Sequence, residues 1–432
     1  MTKIVYAKEY QILPGVLECQ MAAIRRMLSE NPENVCFRFE PGQYHIYKEN
    51  AIKRPFVVSN SDQTGHRSFG VFLEQMQDVT LDGQGAEFIF HGDMTPLCVT
   101  ECKNVKIANM AFDAATPLSA EAVVEKTEPG AIEVSLDGEH FPYHVEDGTL
   151  IFEREYGETG SLFGIMEFDP ESGRVPDDTG DAYNPEKVFE LEKNKIRLEG
   201  KFWTLPKIGN ILVLRNGKRV HPGGLVQFSE NITLENVKVH QTGGLGIVFQ
   251  FNENIHASGV AFVPNKKRGM KILSSHDDGL HFSNNKGSIT VEHCEFRGLM
   301  DDPINVHGTA AAVVRRENEQ TLRGAFRHHQ SVGFDRWAKA GDVIGFINPQ
   351  NRKCFAKGTV ISYRLLTPEE FEICFEESVP VEVLEGYAME NLTYTPSVVC
   401  RDNYFGGARA RGILITTPKS VRRFSREEMN FI

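Results

Sequence analysis

The sequence predicts an all-β chain built on a parallel β-helix, with two small antiparallel β-barrel domains inserted into it. Three observations carry that prediction. Short alternating strands recur behind a turn residue, often Asn: MQDVTLDGQGAEFIF (76–90), CKNVKIANMAFD (102–113), SENITLENVKVH (229–240), NENIHASGVAFVP (252–264) and KGSITVEHCEFRG (286–298). The spacing is regular, since Asp78 to Asn104 and Asn231 to Asn254 are intervals of similar length, each one period in the twenties. Such periods suit a solenoid whose coils bury their faces on one another. Finally, two long stretches, 114–222 and 309–397, drop the Asn phase and carry longer, hairpin-like strands.

Taken in order, CQMAAIRRMLSENPEN (19–34) places Met21, Ile24 and Leu28 at helical spacing, and Asn31-Pro32 ends the run. This helix suits a cap over the open apolar end of a solenoid. VCFRFEPG (35–42) alternates and stops at Pro41-Gly42, and QYHIY (43–47) follows as a second strand. The first coils run to residue 113. The insert 114–222 contains the hairpin signal RNGK. Coils resume over 223–308, and the insert 309–397 follows. The repeat returns at VVCRDNYFGGARARGILITT (398–417) within a last segment, 398–432. Its tail, SVRRFSREEMNFI, has no strand alternation and reads either as a cap or as a stop before further coils.

Composition excludes several classes. Hydrophobic residues are 41% and charged residues 25%, as in ordinary globular chains. A net charge of −12, from 47 basic and 59 acidic residues, argues against nucleic acid, which needs clustered cations. No run of about 18 apolar residues exists, so no membrane span is expected. The start, MTKIVYAKEYQILPG, lacks the apolar core of a signal peptide. As written the chain reads as cytoplasmic, and as secreted or periplasmic if a leader was removed. Eight cysteines show no CxxC pattern and sit in apolar runs, which points to reduced, buried thiols. The oligomeric state stays open between monomer and homodimer.

The chemistry concentrates in SSHDDGLHFSNNKGSITVEHCEFRGLMDDPINVHG (274–308). It holds the pairs Asp277/Asp278 and Asp301/Asp302 with His276, His281, His293 and His307. Asp278 to Asp301 is the same interval as Asn231 to Asn254, one repeat. One repeat along a solenoid returns to the same face about 4.8 Å away, so the pairs should stack. A single DDG or DDP is ordinarily a turn. Two pairs one repeat apart, each followed by a histidine, point to more. Like charges that close raise at least one pKa. One protonated and one ionised carboxyl is what glycoside hydrolysis uses. His276, His281 and His307 suit orienting carboxylates or bonding sugar hydroxyls, while His293, alternating with Val291, reads as structural. The Asp/His set has no diagnostic metal spacing, so no metal and no cofactor are expected.

This stretch closely resembles the catalytic stretch of glycoside hydrolase family 110, the exo-acting α-galactosidases, some of which cleave α-1,3-linked galactose such as that of the blood group B determinant. GGLGIVFQFNENI (243–255) and GGARARGILITT (406–417) are similar to that family as well. The resemblance implies a right-handed, pectate-lyase-like β-helix with inserted barrels, galactose-terminated glycans as partners, inversion and no metal. It also implies a general acid at Asp278, with Asp277 as its competitor, and a general base among Asp301 and Asp302. Candidate sugar contacts are Asp277, His276, His281, Asn305, His307, Gln250, Arg409, Arg411 and Tyr404. Arg409 and Arg411 alternate and so project to one face of a strand. Gln250, at the end of an apolar run, suits a galactose contact or an amide ladder. Tyr404 suits stacking under a sugar or core packing. Trp203 and Trp337 read as barrel core. Competing functions on the same solenoid are a polysaccharide lyase using Arg409, Arg411 and calcium, a polygalacturonase-like endo-hydrolase, and a non-catalytic glycan-binding solenoid.

Overall fold

The computed structural model describes every residue except Met1, Gly180, Asp181, Lys218, 418–421, 425–429 and Ile432. Alternation does what it predicts. Ile232, Leu234, Val237 and Val239 point inward to one core shared by the coils. Like side chains stack from coil to coil: Phe249 on Phe282 at 4.8 Å and Phe296 on Phe405 at 5.5 Å between ring centroids. The strands of successive coils pair in parallel, with Ile255 opposite Ile289 and Phe262 opposite Phe296.

Two sheets form the solenoid wall. One has 14 strands, among them Gln77–His91, Lys103–Ala114, Glu230–Val239, Glu253–Ser258 and Lys286–Glu292. The other has eight and runs through Thr95–Thr100, Gly224–Gln227, Ile247–Gln250, Leu280–Ser283, Ile304–His307 and Ile413–Ile415. The corners explain the recurring Asn. Asp78, Asn104, Asn231 and Asn254 all have φ between 53° and 58°, the left-handed region that Asn and Asp tolerate. Their side chains then link the coils. Asn104 donates to Asp78 at 2.7 Å, Asn231 to Asn104 at 2.8 Å and Asn254 to Asn231 at 3.0 Å.

The helix Met21–Glu30 buries Met21, Ile24, Met27 and Leu28 on the first coils. Lys103–Ala114 pairs directly with Glu230–Val239, and Ile304–His307 with Ile413–Ile415. Each insert therefore leaves and returns between neighbouring coils without breaking the stack. The first is an eight-stranded antiparallel sheet from Ala120 to Asn216. It is nearly closed: the Val188 N–H of its Lys187–Glu192 edge strand donates to the Gly148 carbonyl, beyond its Tyr143–Glu146 edge strand, at 2.7 Å. The second is a closed six-stranded barrel from Ala311 to Asn391, with its own core.

Three expectations need correction. Trp337 is barrel core, but Trp203 is 75% exposed. It sits in the loop before Ile211–Asn216, where no core layer reaches it. Cys98, Cys102, Cys294 and Cys400 are buried, whereas Cys354 opens the strand Cys354–Leu365 and is exposed. In the tail, Arg422–Phe424 and Asn430–Phe431 join the 14-stranded sheet despite their lack of alternation, because backbone pairing alone extends a ladder. The rest of the tail lies outside the described residues. No helix among the described residues is long and apolar enough to cross a membrane.

Candidate active site

The site grows from the outer face of the eight-stranded sheet. In Leu280–Ser283 and Ile304–His307, Leu280, Phe282, Ile304 and Val306 point into the core. Alternation therefore turns His281, Asn305 and His307 outward together. The turns before these strands carry the Asp pairs. Gly279 allows the two turns to meet, since a Cβ there would lie 2.6 Å from the Pro303 carbonyl oxygen. Leu280 pairs with Ile304, and the Gly279 N–H donates to the Asp302 carbonyl. This corrects the expected stacking of Asp278 on Asp301. Asp278 lies in register with Asp302, and Asp277 with Asp301, because coil length varies from turn to turn. The preceding coil, which pairs Ile247 with Leu280, is longer still.

Each carboxylate has distinct surroundings. Asp277 Oδ2 lies 2.9 Å from His276 Nδ1 and 2.9 Å from Arg219 Nε. Burial works against its charge, but His276 and Arg219 hold its carboxyl below the usual range. Asp278 Oδ2 lies 2.7 Å from His281 Nδ1 and accepts from Asn305 Nδ2 at 3.2 Å. Burial first, and then the Asp277 charge, push Asp278 up to about 7. Asp302 is 1% exposed and is gripped by Arg411, whose backbone N–H and Nε donate to Oδ1 at 3.0 Å and whose Nη2 donates to Oδ2 at 2.9 Å. Asp301 is the open member, 31% exposed and 4.0 Å from Arg411 Nη2. Burial, then Asp278 and Asp302, push it up to about 6. The histidines continue the network. His281 Nε2 lies 2.8 Å from His307 Nε2, and His307 Nδ1 lies 3.1 Å from the Gly308 carbonyl oxygen.

The first insert reaches this site. Phe163 is 57% exposed, carries the Arg215 guanidinium over its ring at 5.3 Å, and lies 6.3 Å from the His276 ring. A cavity of about 920 Å³ opens beside it between insert and solenoid, lined by Phe163, His221, Gln241 and Thr242 among others. The carboxylates do not line this cavity. It adjoins them through Thr242, whose hydroxyl oxygen accepts from the His276 N–H at 3.1 Å. Buried side-chain atoms of the site without a hydrogen-bond partner in the protein include His276 Nε2 and Asn305 Oδ1, and Arg219 Nε meets Asp277 as an ion pair without hydrogen-bond geometry. No group of three or more His, Cys, Asp and Glu among the described residues is arranged to hold a metal ion.

Residues 120–212 match the family described as GLAA-B beta-barrel domain I, and residues 321–387 match GLAA-B beta-barrel domain II. Alpha-1,3-galactosidase B of Bacteroides thetaiotaomicron is 36% identical over 391 residues, covering 89% of this chain and 63% of that protein. Alpha-1,3-galactosidase B of Phocaeicola vulgatus is 34% identical over 421 residues, covering 94% of this chain and 70% of that protein. The chain belongs to glycoside hydrolase family 110, the α-1,3-galactosidase A/B family. A third member, alpha-1,3-galactosidase B of Akkermansia muciniphila, is 34% identical over 97% of this chain and 53% of its own length. The chain thus spans 63% and 53% of the Bacteroides and Akkermansia relatives. A family 28 exopolygalacturonase of Yersinia enterocolitica aligns over 73% of this chain and 46% of its own, at 12% identity and a TM-score of 0.33, too distant to bear on the site.

Within this family 110 chain the structure brings Asp277, Asp278, Asp301, Asp302, His276, His281, Asn305, His307 and Arg411 together. It places two candidates elsewhere. Gln250 is spent on structure: its amide donates to the Val57 carbonyl and to Gln227, and its oxygen accepts from the Ser59 N–H. That leaves its amide no free donor for a sugar. Tyr404 pairs with Arg297 on the 14-stranded sheet, with the guanidinium 4.2 Å from its ring centre. Arg409 and Arg411 do not share a strand face, because the strand Tyr404–Ala408 ends before them. Arg411 turns onto the carboxylates. Sequence reading missed Arg219 and Phe163. Arg219 stands in RNGKRVHPG, just before the coils resume, a cation at the re-entry point of an insert. Nothing in the sequence distinguishes Phe163.

Proposed function

We propose that the chain is an exo-acting α-1,3-galactosidase that releases terminal α-linked galactose from glycans. One observation supports this above the others. Four carboxylates sit on adjacent turns in different surroundings: Asp278 is buried and pushed up to about 7, whereas Asp301 is 31% exposed and pushed up to about 6. Two carboxyls in different environments on one site are what acid and base catalysis on a glycoside uses. The family relatives named alpha-1,3-galactosidase support the substrate class.

In this reading Asp278, rather than Asp277, is the acid. It gives its proton to the glycosidic oxygen as the bond to the anomeric carbon breaks. Asp301, open to solvent, takes a proton from the attacking water, whose oxygen bonds to that carbon. Asp302, held rigidly by Arg411, orients the water. Solvent then restores both protonation states. Inversion needs about 6.5–9.5 Å between acid and base carboxyls, room for that water. The unpartnered His276 Nε2 and Asn305 Oδ1 are suited to galactose hydroxyls, since buried polar atoms ordinarily find partners. Phe163 offers an exposed ring against which the apolar face of a sugar can stack.

The test is proton NMR of a galactosyl-α-1,3-galactoside incubated with the full chain. Release of β-galactose as first product supports the reading with inversion. Initial α-galactose overturns inversion and leaves the substrate class standing. No release from any α-galactoside overturns the function.

A further inference from the structure

We propose that the cavity between the first insert and the solenoid is the subsite for the leaving-group side of the substrate, and that it takes the neutral sugars to which the terminal galactose is linked. This rests on the exo-galactosidase reading and not on which carboxyl is the acid.

The cavity has a direction. Its floor is the solenoid corner that carries the Asp pairs, met on earlier coils. Asp93 precedes the strand Thr95–Thr100, His221 precedes Gly224–Gln227, Thr242 precedes Ile247–Gln250, and His276 precedes Leu280–Ser283. These strands pair in that order. Asp93 and His276 therefore lie three coil steps apart, about 14 Å at about 4.8 Å per step. The roof is the insert strand Thr159–Phe168. Glu158 Oε2, just before it, accepts from the Asp93 N–H at 3.1 Å, and the Phe163 ring lies 6.3 Å from the His276 ring. The extended stretch from Glu158 to Phe163 spans about 16 Å. Roof strand and floor thus run side by side along the solenoid axis. Arg154 ties them at the Asp93 end, where its Nη1 donates to both Asp93 carboxylate oxygens. The other end reaches the carboxylates at Phe163.

Position fixes which sugars belong there. The carboxylates do not line the cavity, so the reacting galactose is not in it. A terminal galactose has one glycosidic neighbour, so a sugar site continuous with its own lies on the leaving-group side. A volume of about 920 Å³, toward the upper end of ligand pockets, takes more than one pyranose ring. The lining suits sugars. Alternation on the roof strand turns Leu162 toward the insert core and exposes Thr159, Ser161 and Phe163 on the other face. Two hydroxyls and an aromatic ring thus stand in a row over the groove, a hydrogen-bonding edge and a stacking surface. Arg154 also keeps Nε buried without a hydrogen-bond partner in the protein. The carboxylates of the lining are already met. Asp93 has Arg154, Asp113 accepts from Gln241 Nε2 and faces Arg268, and Asp62 accepts from Gln330 Nε2 and the Arg219 N–H. Burial pushes His221 down to about 3 and keeps it neutral. A neutral glycan finds hydroxyl partners here, whereas an added sulfate or uronate would face three carboxylates.

The experiment compares kcat/KM of the full chain on galactosyl-α-1,3-galactose and on the same disaccharide extended at its reducing end by two neutral sugars. The expected result is a gain of about tenfold with length, the worth of one or two hydrogen bonds. Ser161→Trp fills the groove from its roof. It should bring that ratio down to about one and weaken calorimetric binding of the galactose-free product oligosaccharide by a similar factor. Thr159→Trp, on the same face of the strand, repeats the test where Ser161→Trp fails to fold. Equal kcat/KM for the two substrates in the native chain, or a ratio that survives filling the groove, overturns the subsite. A sulfate on the sugar beyond the disaccharide that raises kcat/KM overturns the assignment to neutral sugars. No release from any α-galactoside sinks the exo-galactosidase reading instead, while calorimetric binding of the oligosaccharide still reports on the cavity, so the two failures are distinguishable.

Discussion

Replacing Asp278 with Asn keeps the side chain's shape and removes its titration, so its effect on stability should grow with pH. Burial and the Asp277 charge push the folded Asp278 carboxyl up to about 7. In the unfolded chain an aspartate titrates near 3.9, as model peptides do. Between those values the folded state keeps a proton that the unfolded state has released. The native chain therefore has its full contribution from this group below about pH 3.9. It loses about 1.4 kcal/mol per unit as pH rises, until the folded group ionises near 7. The Asn variant has no such loss. Its stability relative to the native chain should climb by about 3 kcal/mol between about pH 4.5 and about pH 7.5. Urea unfolding of both proteins across that range measures this, with equal m-values showing that the same surface unfolds. A difference that stays flat, or falls, with rising pH would refute a buried Asp278 held neutral. The same variant should lose about 10²–10⁴-fold in kcat, the usual worth of a positioned proton donor.

Other outcomes follow from the same geometry. The pH profile of kcat/KM should be a narrow bell, rising near 6 as Asp301 ionises to act as base and falling near 7 as Asp278 loses its proton; a plateau extending well above about pH 8 would contradict the assignment. Arg411→Ala removes two charged hydrogen bonds from the buried Asp302. It should cost about 10²-fold in kcat/KM through loss of orientation, and Arg411→Lys should recover little, since a point charge cannot reproduce the two-pronged grip. Asn254→Ala loses the bond to Asn231 and places a Cβ-bearing residue without a local hydrogen bond at φ 58°. It should destabilise the chain by about 2 kcal/mol in thermal or urea unfolding, with Gly at the same position costing less.

The inserts shape the chemistry as well as decorate the solenoid. Arg219, on the segment where the first insert returns to the coils, brings positive charge to Asp277 and lets a second carboxylate persist beside Asp278. Without that cation two buried aspartates in sequence would compete for one charge. The second barrel meets the other end of the site at Gly308, where the histidine line is anchored. Asp278 thus lies between a contact supplied by one insert and a contact set against the other.

Local pattern was enough to specify the solenoid and the cluster of carboxylates and histidines on its face. Alternation decides which residues face in, and Asn supplies both a left-handed corner and an amide ladder; both are properties written in a few consecutive residues. The paired aspartates and their trailing histidines were legible for the same reason, since Asp278, His281, Asn305 and His307 lie close together in the chain, on two successive coils. Which aspartate stands beside which was a matter for the folded molecule. Register is fixed by backbone pairing of Leu280 with Ile304, and a coil's length varies in its turns, where the sequence has no period to read. The partners from far along the chain were likewise set by the fold: Arg411 on Asp302, Arg219 on Asp277 and Phe163 beside His276. It also took Gln250 and Tyr404 out of the site, because a buried amide or a phenol on the opposite sheet bonds to whatever the packing sets beside it. Charge and hydrogen bonding act through space, so the protonation of four neighbouring carboxyls follows from the assembled surroundings and not from the residues' own identities.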